Sequence, residues 1–549
     1  MLSGLLRSVS WNQALFITEA ILVVASVGFR FRWIGAERAL QRLARHRLAP
    51  LAVGVFALAM RAIVLPIEPV PIPRLHDEFS YLLQADTFLQ ARLANPTHPM
   101  WQHLETFHVD QFPTYASMYP PLAGLVLAAG KLLLGCAFAG VWLSAGVMCG
   151  AICWALRGWF SPGWAMLAGV IAALRIATFT YWDDSYWGGA LAAIGGALVF
   201  GALPRLIRAS RRRDALLASL GVVILLNTRP YEGSVFSFAV ALVALWHVRK
   251  LRLRAVVPPV CAVLVCAAAF MAYYNWRVFG SATTLPYTIN RRAYAVAPVY
   301  LFQTPGPTPV YRHKEMEEFY TGWELAVFEW GRTRQGFFNL AFAKLYWIWC
   351  FFVGPVLTLP VLAFPATWKS RRSKILLCIA LPVAAANALV AFFQPHYLAP
   401  ATAVFYAMVV QGMRVLNRRM PRVVRSIPVV CVVMIGVRIA LTAPLLPSDR
   451  ESPSKTWAGT SHFDWGPERV ARQALKDGGR QLIIVHYGPQ HSVHDDYVHN
   501  AADIDAAPIV WARDMGPEKN GELIRYFGSR RVWWLDVDAD AKLSAYPPE

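Results

Sequence analysis

The chain has 549 residues, of which 56% are apolar and 16% charged, with a formal net charge of +20. A soluble domain carries about 25% charged residues, and the apolar residues here run in long unbroken blocks, so a single soluble core is excluded. From Pro447 onward there are 12 Lys and Arg against 16 Asp and Glu. The basic excess therefore lies wholly in the apolar region, where the positive-inside rule accounts for it without nucleic acid as a partner.

The first apolar stretch has no basic region before it and no small-residue cleavage site, so it reads as a retained helix. With the cluster Arg30–Arg47, which holds six Arg and one Glu, it makes residues 1–48 an extra N-terminal transmembrane helix and a basic cytoplasmic loop. The main membrane region runs over 49–445. Its first outer loop, 69–118, carries five acids and two bases.

That loop opens Pro71-Ile-Pro-Arg-Leu-His-Asp-Glu-Phe-Ser-Tyr. Neighbours on a helix point in different directions, so Asp77 and Glu78 are expected to divide two tasks, one facing a cavity and one holding the loop. The competing reading is a plain N-terminal cap. Phe79, Leu82, Leu83, Phe88 and Leu89 share one helical face and predict an amphipathic helix in the membrane interface. Further on, Tyr115-Ala-Ser-Met-Tyr-Pro-Pro-Leu starts an apolar run with proline at the first helical position. Its Tyr119 is a candidate for a substrate-lining turn.

Three apolar blocks follow, at 120–136, 138–156 and 163–180. Three crossings cannot leave both 69–118 and 181–187 outside, so one block is expected to be re-entrant, or two to form one bent segment. Tyr181-Trp-Asp-Asp-Ser-Tyr-Trp-Gly-Gly then sets Asp183 and Asp184 among aromatic residues. The aromatics suit an interfacial belt; with paired carboxylates they suit sugar binding or a divalent metal equally well.

From residue 205 the topology alternates cleanly. The clusters Arg205–Arg213, Arg249–Arg254, Lys369–Lys374 and Arg414–Arg425 are placed inside. Helices near 214–228, 234–247, 255–275, 342–366, 375–393, 397–413 and 426–445 connect them, for about 12–14 spans in all. Asn227-Thr-Arg-Pro-Tyr-Glu-Gly falls outside, with Arg229, Tyr231 and Glu232. An outer arginine either snorkels or binds a phosphate bidentately. The second large outer loop, 276–340, carries Arg291 and Arg292, and the turn Gln394-Pro-His-Tyr-Leu-Ala-Pro carries His396. Glu19, Arg61, Lys131, Arg175 and Arg438 lie inside apolar blocks, where such groups face a cavity or a partner; Arg61 and Arg438 are also placed to snorkel.

The eight cysteines all fall in apolar segments and form neither a disulfide framework nor a thiolate metal site. Residues 446–549 read as a small extracytoplasmic α/β domain: strands at Gln481–His486, Pro508–Ala512 and Arg531–Val537, a helix at Pro517–Phe527, and a parallel sheet. Its histidines, His486 to His499, carry no HExxH-type spacing and read as structural or binding groups rather than a metal site.

Taken in order, Asp77-Glu78, Pro120-Pro121-Leu122 and His396-Tyr-Leu-Ala-Pro400 resemble the polyprenyl-phosphate-sugar-dependent glycosyltransferases of the GT-C fold. The likeness is to the family 39 branch related to protein mannosyltransferases and the lipid A aminoarabinose transferase, and it covers roughly 49–416. The resemblance implies a polytopic helical GT-C-like membrane protein of the inner (plasma) membrane. It implies inverting transfer of a sugar from a polyprenyl-phosphate donor to a lipid, glycan or protein acceptor on the outer face. Asp77 would be the general base with Glu78 beside it. Arg229, Arg291, Arg292 and His396 would take the lipid phosphate. His76, Tyr81, Tyr119, Trp182, Asp183, Asp184, Tyr231 and Glu232 would line the sugar and acceptor. No cofactor is required on this reading, although Asp183 and Asp184 leave room for a divalent metal. A transporter or lipid flippase is the alternative; the absence of an inverted repeat in the sequence speaks against it.

Overall fold

The computed structural model describes residues 11–28, 34–442, 455–459, 466–476, 478–539 and 541–547. The expected boundary at 446 and residues 30–33 of the first basic cluster lie outside the described residues. Six described helices are long and apolar enough to cross a membrane: Phe138–Leu156, Ala190–Ala209, Leu253–Phe279, Arg334–Thr367, Pro395–Arg419 and Pro421–Ala440. Five shorter apolar helices, Asn12–Ser26, Ala49–Val64, Pro121–Leu134, Pro162–Arg175 and Pro230–Trp246, accompany them. Large apolar side chains on these helices are left exposed, among them Leu132, Leu133, Trp246, Phe342 and Leu362. A lipid-facing surface requires this, and water would not tolerate it. The chain is a predominantly helical membrane protein with a small sheet near its C-terminus.

The three expected blocks between 120 and 180 appear as the separate helices Pro121–Leu134, Phe138–Leu156 and Pro162–Arg175. The first has 14 residues, or about 21 Å, short of the roughly 30 Å hydrocarbon core. It ends at Gly135, whose φ of +80° turns the chain back. Gly130 and Gly140 then approach so closely that a Cβ on Gly130 would lie 2.3 Å from the Gly140 nitrogen.

The chain divides into two compact units. The first comprises Met1–Pro71, Val141–Ala267 and Phe338–His462. At one end of its helices the basic clusters meet one another. Arg205 and Arg208 donate to the carbonyls of Trp154 and Gly158, Arg157 to that of His46, and Arg372 and Arg414 lie over the Phe160 ring. Arg425 pairs with Glu37 at 2.8 Å.

Arg61, Arg175 and Arg438 do not snorkel. Each is at most 1% exposed, and each has an acid beside it. Arg175 donates to Glu19 at 2.5 Å, Arg438 pairs with Glu68, and Arg61 reaches Asp184 at 2.9 Å. Without water, only a paired charge is tolerable. Gly354 makes room for the Glu19–Arg175 pair: a Cβ there would stand 2.4 Å from an Arg175 Nη atom.

The second unit comprises Ile72–Gly140, Ala268–Phe337 and Phe463–Glu549. Its sheet has the order Ile509–Arg513, Gln481–His486, Arg531–Asp536, Lys542–Ala545. The first three strands are parallel and the last is antiparallel. Helix Pro517–Tyr526 makes the crossover between Ile509–Arg513 and Arg531–Asp536.

Helix His76–Leu89 buries its polar stripe in protein and leaves Phe79, Leu82 and Phe88 half-buried and Leu89 exposed. Glu78, Ser80, Gln84 and Thr87 are buried, each with an internal partner, and Gln84 bonds the Tyr119 carbonyl and the Gly124 amide. Buried polar groups of this kind require such internal partners.

Candidate functional site

In the second unit, the turn before helix His76–Leu89 separates the tasks of the acidic pair. Glu78 is buried and accepts hydrogen bonds from the amides of Arg74 and Leu75, at 2.8 and 3.0 Å, so it closes the helix start. Asp77, one residue earlier, faces the other way, and its side chain is 25% exposed. Its Oδ1 accepts a short hydrogen bond from the Tyr119 hydroxyl. The His108 Nδ1 stands 3.7 Å from its Oδ2. Tyr119 comes from the segment just before helix Pro121–Leu134, so the Pro120-Pro121 start serves to aim this phenol.

The surroundings are aromatic and imidazole-rich. His76 is buried and stacks on Phe107 at 4.3 Å; burial pushes its pKa down to about 3, so it is neutral. Tyr81 stacks on Tyr119 at 4.4 Å. Burial drives the Tyr119 phenol well above its usual range, with Asp77 adding to the shift, so it remains a donor. The C-terminal segment contributes as well. His499 stacks on Phe79 at 3.9 Å, and burial brings it down to about 4. His494 meets Trp323 edge-on at 4.8 Å. Asp496 accepts from Thr106 at 3.0 Å and from Arg513 at 2.8 Å.

Arg291 is not an open anion binder. Its guanidinium forks onto Glu324 at 2.5 and 3.0 Å, a bidentate pair that uses the geometry a phosphate would need. Arg292, next to it, is solvent-exposed.

The first unit holds the remaining expected residues. Asp183 and Asp184 both converge on Arg61, at 3.6 and 2.9 Å. A divalent ion bound to that pair would sit against a buried guanidinium, so the residues present fit an ion pair better than a metal. Among the described residues no group of three His, Cys, Asp or Glu is arranged to hold a metal. Trp182 is 1% exposed. Gly188 and Gly189 permit it, since a Cβ on either would fall 2.5 Å from Trp182 atoms. Tyr181 and His396 bond through hydroxyl and Nδ1 at 2.8 Å, and the His396 amide donates back to the same hydroxyl at 2.9 Å. The Arg229 guanidinium lies 4.6 Å from the Tyr397 ring centre. Tyr231 donates to the Ala386 carbonyl at 3.2 Å, and Glu232 is buried.

Sequence reasoning missed His108, Trp323, Asp496 and Arg513. Asp496 falls within the His486–His499 segment already read as structural or binding groups; for His108 the hint was the density of histidines in the loop 69–118.

No protein-family model and no curated protein matches the chain. Among solved structures it is similar to ArnT from Cupriavidus metallidurans bound to undecaprenyl phosphate. Identity there is 15%, over 90% of this chain and 91% of that one, with a TM-score of 0.47. It is also similar to the Archaeoglobus fulgidus oligosaccharyltransferase, at 10% identity over 80% of this chain and 62% of that one, with a TM-score of 0.39.

Proposed function

We propose that this chain is a membrane glycosyltransferase. It moves a sugar, with inversion, from a polyprenyl phosphate to a hydroxyl of a lipid, glycan or protein acceptor on the outer face of the plasma membrane. The observation that carries the reading is Asp77: a partly exposed carboxylate, oriented by Tyr119 and close to the buried, neutral His76, while its neighbour Glu78 does the capping. A carboxylate kept only as a cap would not need a second residue to perform that task.

In the step proposed, the acceptor oxygen attacks the anomeric carbon and its proton passes to Asp77. The bond from that carbon to the phosphate oxygen breaks, and the electron pair leaves with polyprenyl phosphate. Cations stabilise the leaving charge; Arg292, exposed in the same unit as Asp77, is the group proposed for it. Arg291 is assigned instead to holding Glu324.

The test uses the purified full chain in liposomes. Undecaprenyl phosphate bearing mannose, glucose or aminoarabinose is supplied in turn, with an envelope extract as acceptor, and released undecaprenyl phosphate is counted. Asp77→Asn should lower release by about 10²–10⁴, the usual worth of a general base, without altering the melting temperature. Equal release by wild type and Asp77→Asn would refute the base. Failure of wild type to consume any of the three donors, together with movement of the intact lipid between leaflets, would favour a flippase.

A further inference from the structure

We infer that His108 is a positioning residue for Asp77, and that it acts through Tyr119 to decide which carboxylate oxygen takes the acceptor proton. The inference rests on the reading of Asp77 as the base.

Three observations carry it. First, His108 has φ +61°, a left-handed conformation that residues with a Cβ avoid. Such conformations persist only where the surroundings over-determine them, and they cluster at functional sites. Here the surroundings do so. The His108 carbonyl accepts from the Ser80 hydroxyl at 2.7 Å and from the Met118 amide at 3.2 Å. The next residue, Val109, pairs with Ser117 in a two-stranded ladder. The backbone is thus clamped in a form that an ordinary loop residue would leave.

Second, the clamp aims the ring. Nδ1 lies 3.3 Å from the Tyr119 oxygen and 3.7 Å from Asp77 Oδ2. The ring is walled edge-on by His76, Tyr119 and Phe319 at 5.8, 5.9 and 6.3 Å.

Third, the protons can be assigned by counting donors. Tyr119 has one proton, and its short bond to Asp77 Oδ1 uses it. The phenol oxygen can then only accept from His108. The ring is therefore the Nδ1–H form, and the chain runs His108 to Tyr119 to Asp77, each bond polarising the next. Oδ1 is occupied by a donor. Oδ2 is the oxygen free to receive the acceptor's proton as its oxygen bonds to the anomeric carbon and the phosphate leaves.

The variant of choice is His108→Gly, because glycine accepts positive φ freely and removes only the ring. In the liposome assay kcat should fall about 100-fold, the scale of a misplaced catalytic group, with the donor KM and the melting temperature unchanged. Added imidazole should restore part of the rate saturably, which a purely structural role would not allow. A wild-type rate in His108→Gly, or a loss that imidazole leaves untouched, overturns the inference. Asp77→Asn is assayed alongside. If it is inactive while His108→Gly is not, only the role of His108 falls. If Asp77→Asn is itself active, the base assignment fails and this inference goes with it.

Discussion

Replacing Arg513 by alanine tests whether the C-terminal segment is built into the Asp77 environment or merely appended to it. Arg513 is 1% exposed. Its guanidinium holds Asp496 at 2.8 Å, the Glu105 carbonyl at 2.7 Å and Glu315 at 3.4 Å. Burial alone would raise the Asp496 carboxyl, but Arg513, with hydrogen bonds from the Tyr487 hydroxyl and the Val498 amide, outweighs it and holds the group below its usual range. Without the arginine, a buried carboxylate loses its main compensation. Breaking one side of such a pair costs about 3–5 kcal/mol, whereas replacing both partners by apolar residues is near neutral. Arg513→Ala should therefore lower stability by about 3–5 kcal/mol, and Arg513→Met with Asp496→Leu should recover most of it. Pulse proteolysis across a urea series, with both single variants and the double, gives the coupling energy. Transfer should fall as well in Arg513→Ala, because the Glu105 carbonyl and Thr106 lead directly into His108. Stability within about 0.5 kcal/mol of wild type, the range of an ordinary surface change, would refute the reasoning. So would a double variant as unstable as Arg513→Ala.

Two further outcomes are expected. Asp110 is 2% exposed, and burial pushes its pKa from 3.8 up to about 7. Its folded-state value is the raised one, so its stabilising contribution is full below pH 3.8 and is lost as pH climbs to about 7, at about 1.4 kcal/mol per decade. Asp110→Asn should flatten that slope in urea midpoints measured from pH 4 upward; an unchanged slope would show that another group titrates. Glu522, exposed on helix Pro517–Tyr526, tests the proposed orientation. In Glu522→Cys a membrane-impermeant maleimide should label intact cells, and labelling only after lysis would place the domain inside.

Local features of the sequence carried much of the architecture. Apolar blocks of membrane length became helices, because in lipid the backbone must satisfy itself within each segment. The strands Gln481–His486 and Arg531–Asp536 and helix Pro517–Tyr526 fell within a residue or two of their expected ends, since alternation and turn residues act over a few positions. The split between Asp77 and Glu78 followed from helix geometry alone. Three matters depended on residues far apart in the chain. Arg61 lies 123 positions from Asp184, so its sequence neighbours could not reveal whether it snorkels or pairs. Arg291 has the chemistry of a phosphate binder, but Glu324 occupies it. His108 belongs to no motif; Ser80, Met118 and Tyr119 fix its strained backbone and its ring. The sequence by itself determined which residues could carry charge or a proton. The tertiary structure decided which were already committed to one another, because the burial and electrostatics that settle a charge depend on distance in space, not along the chain.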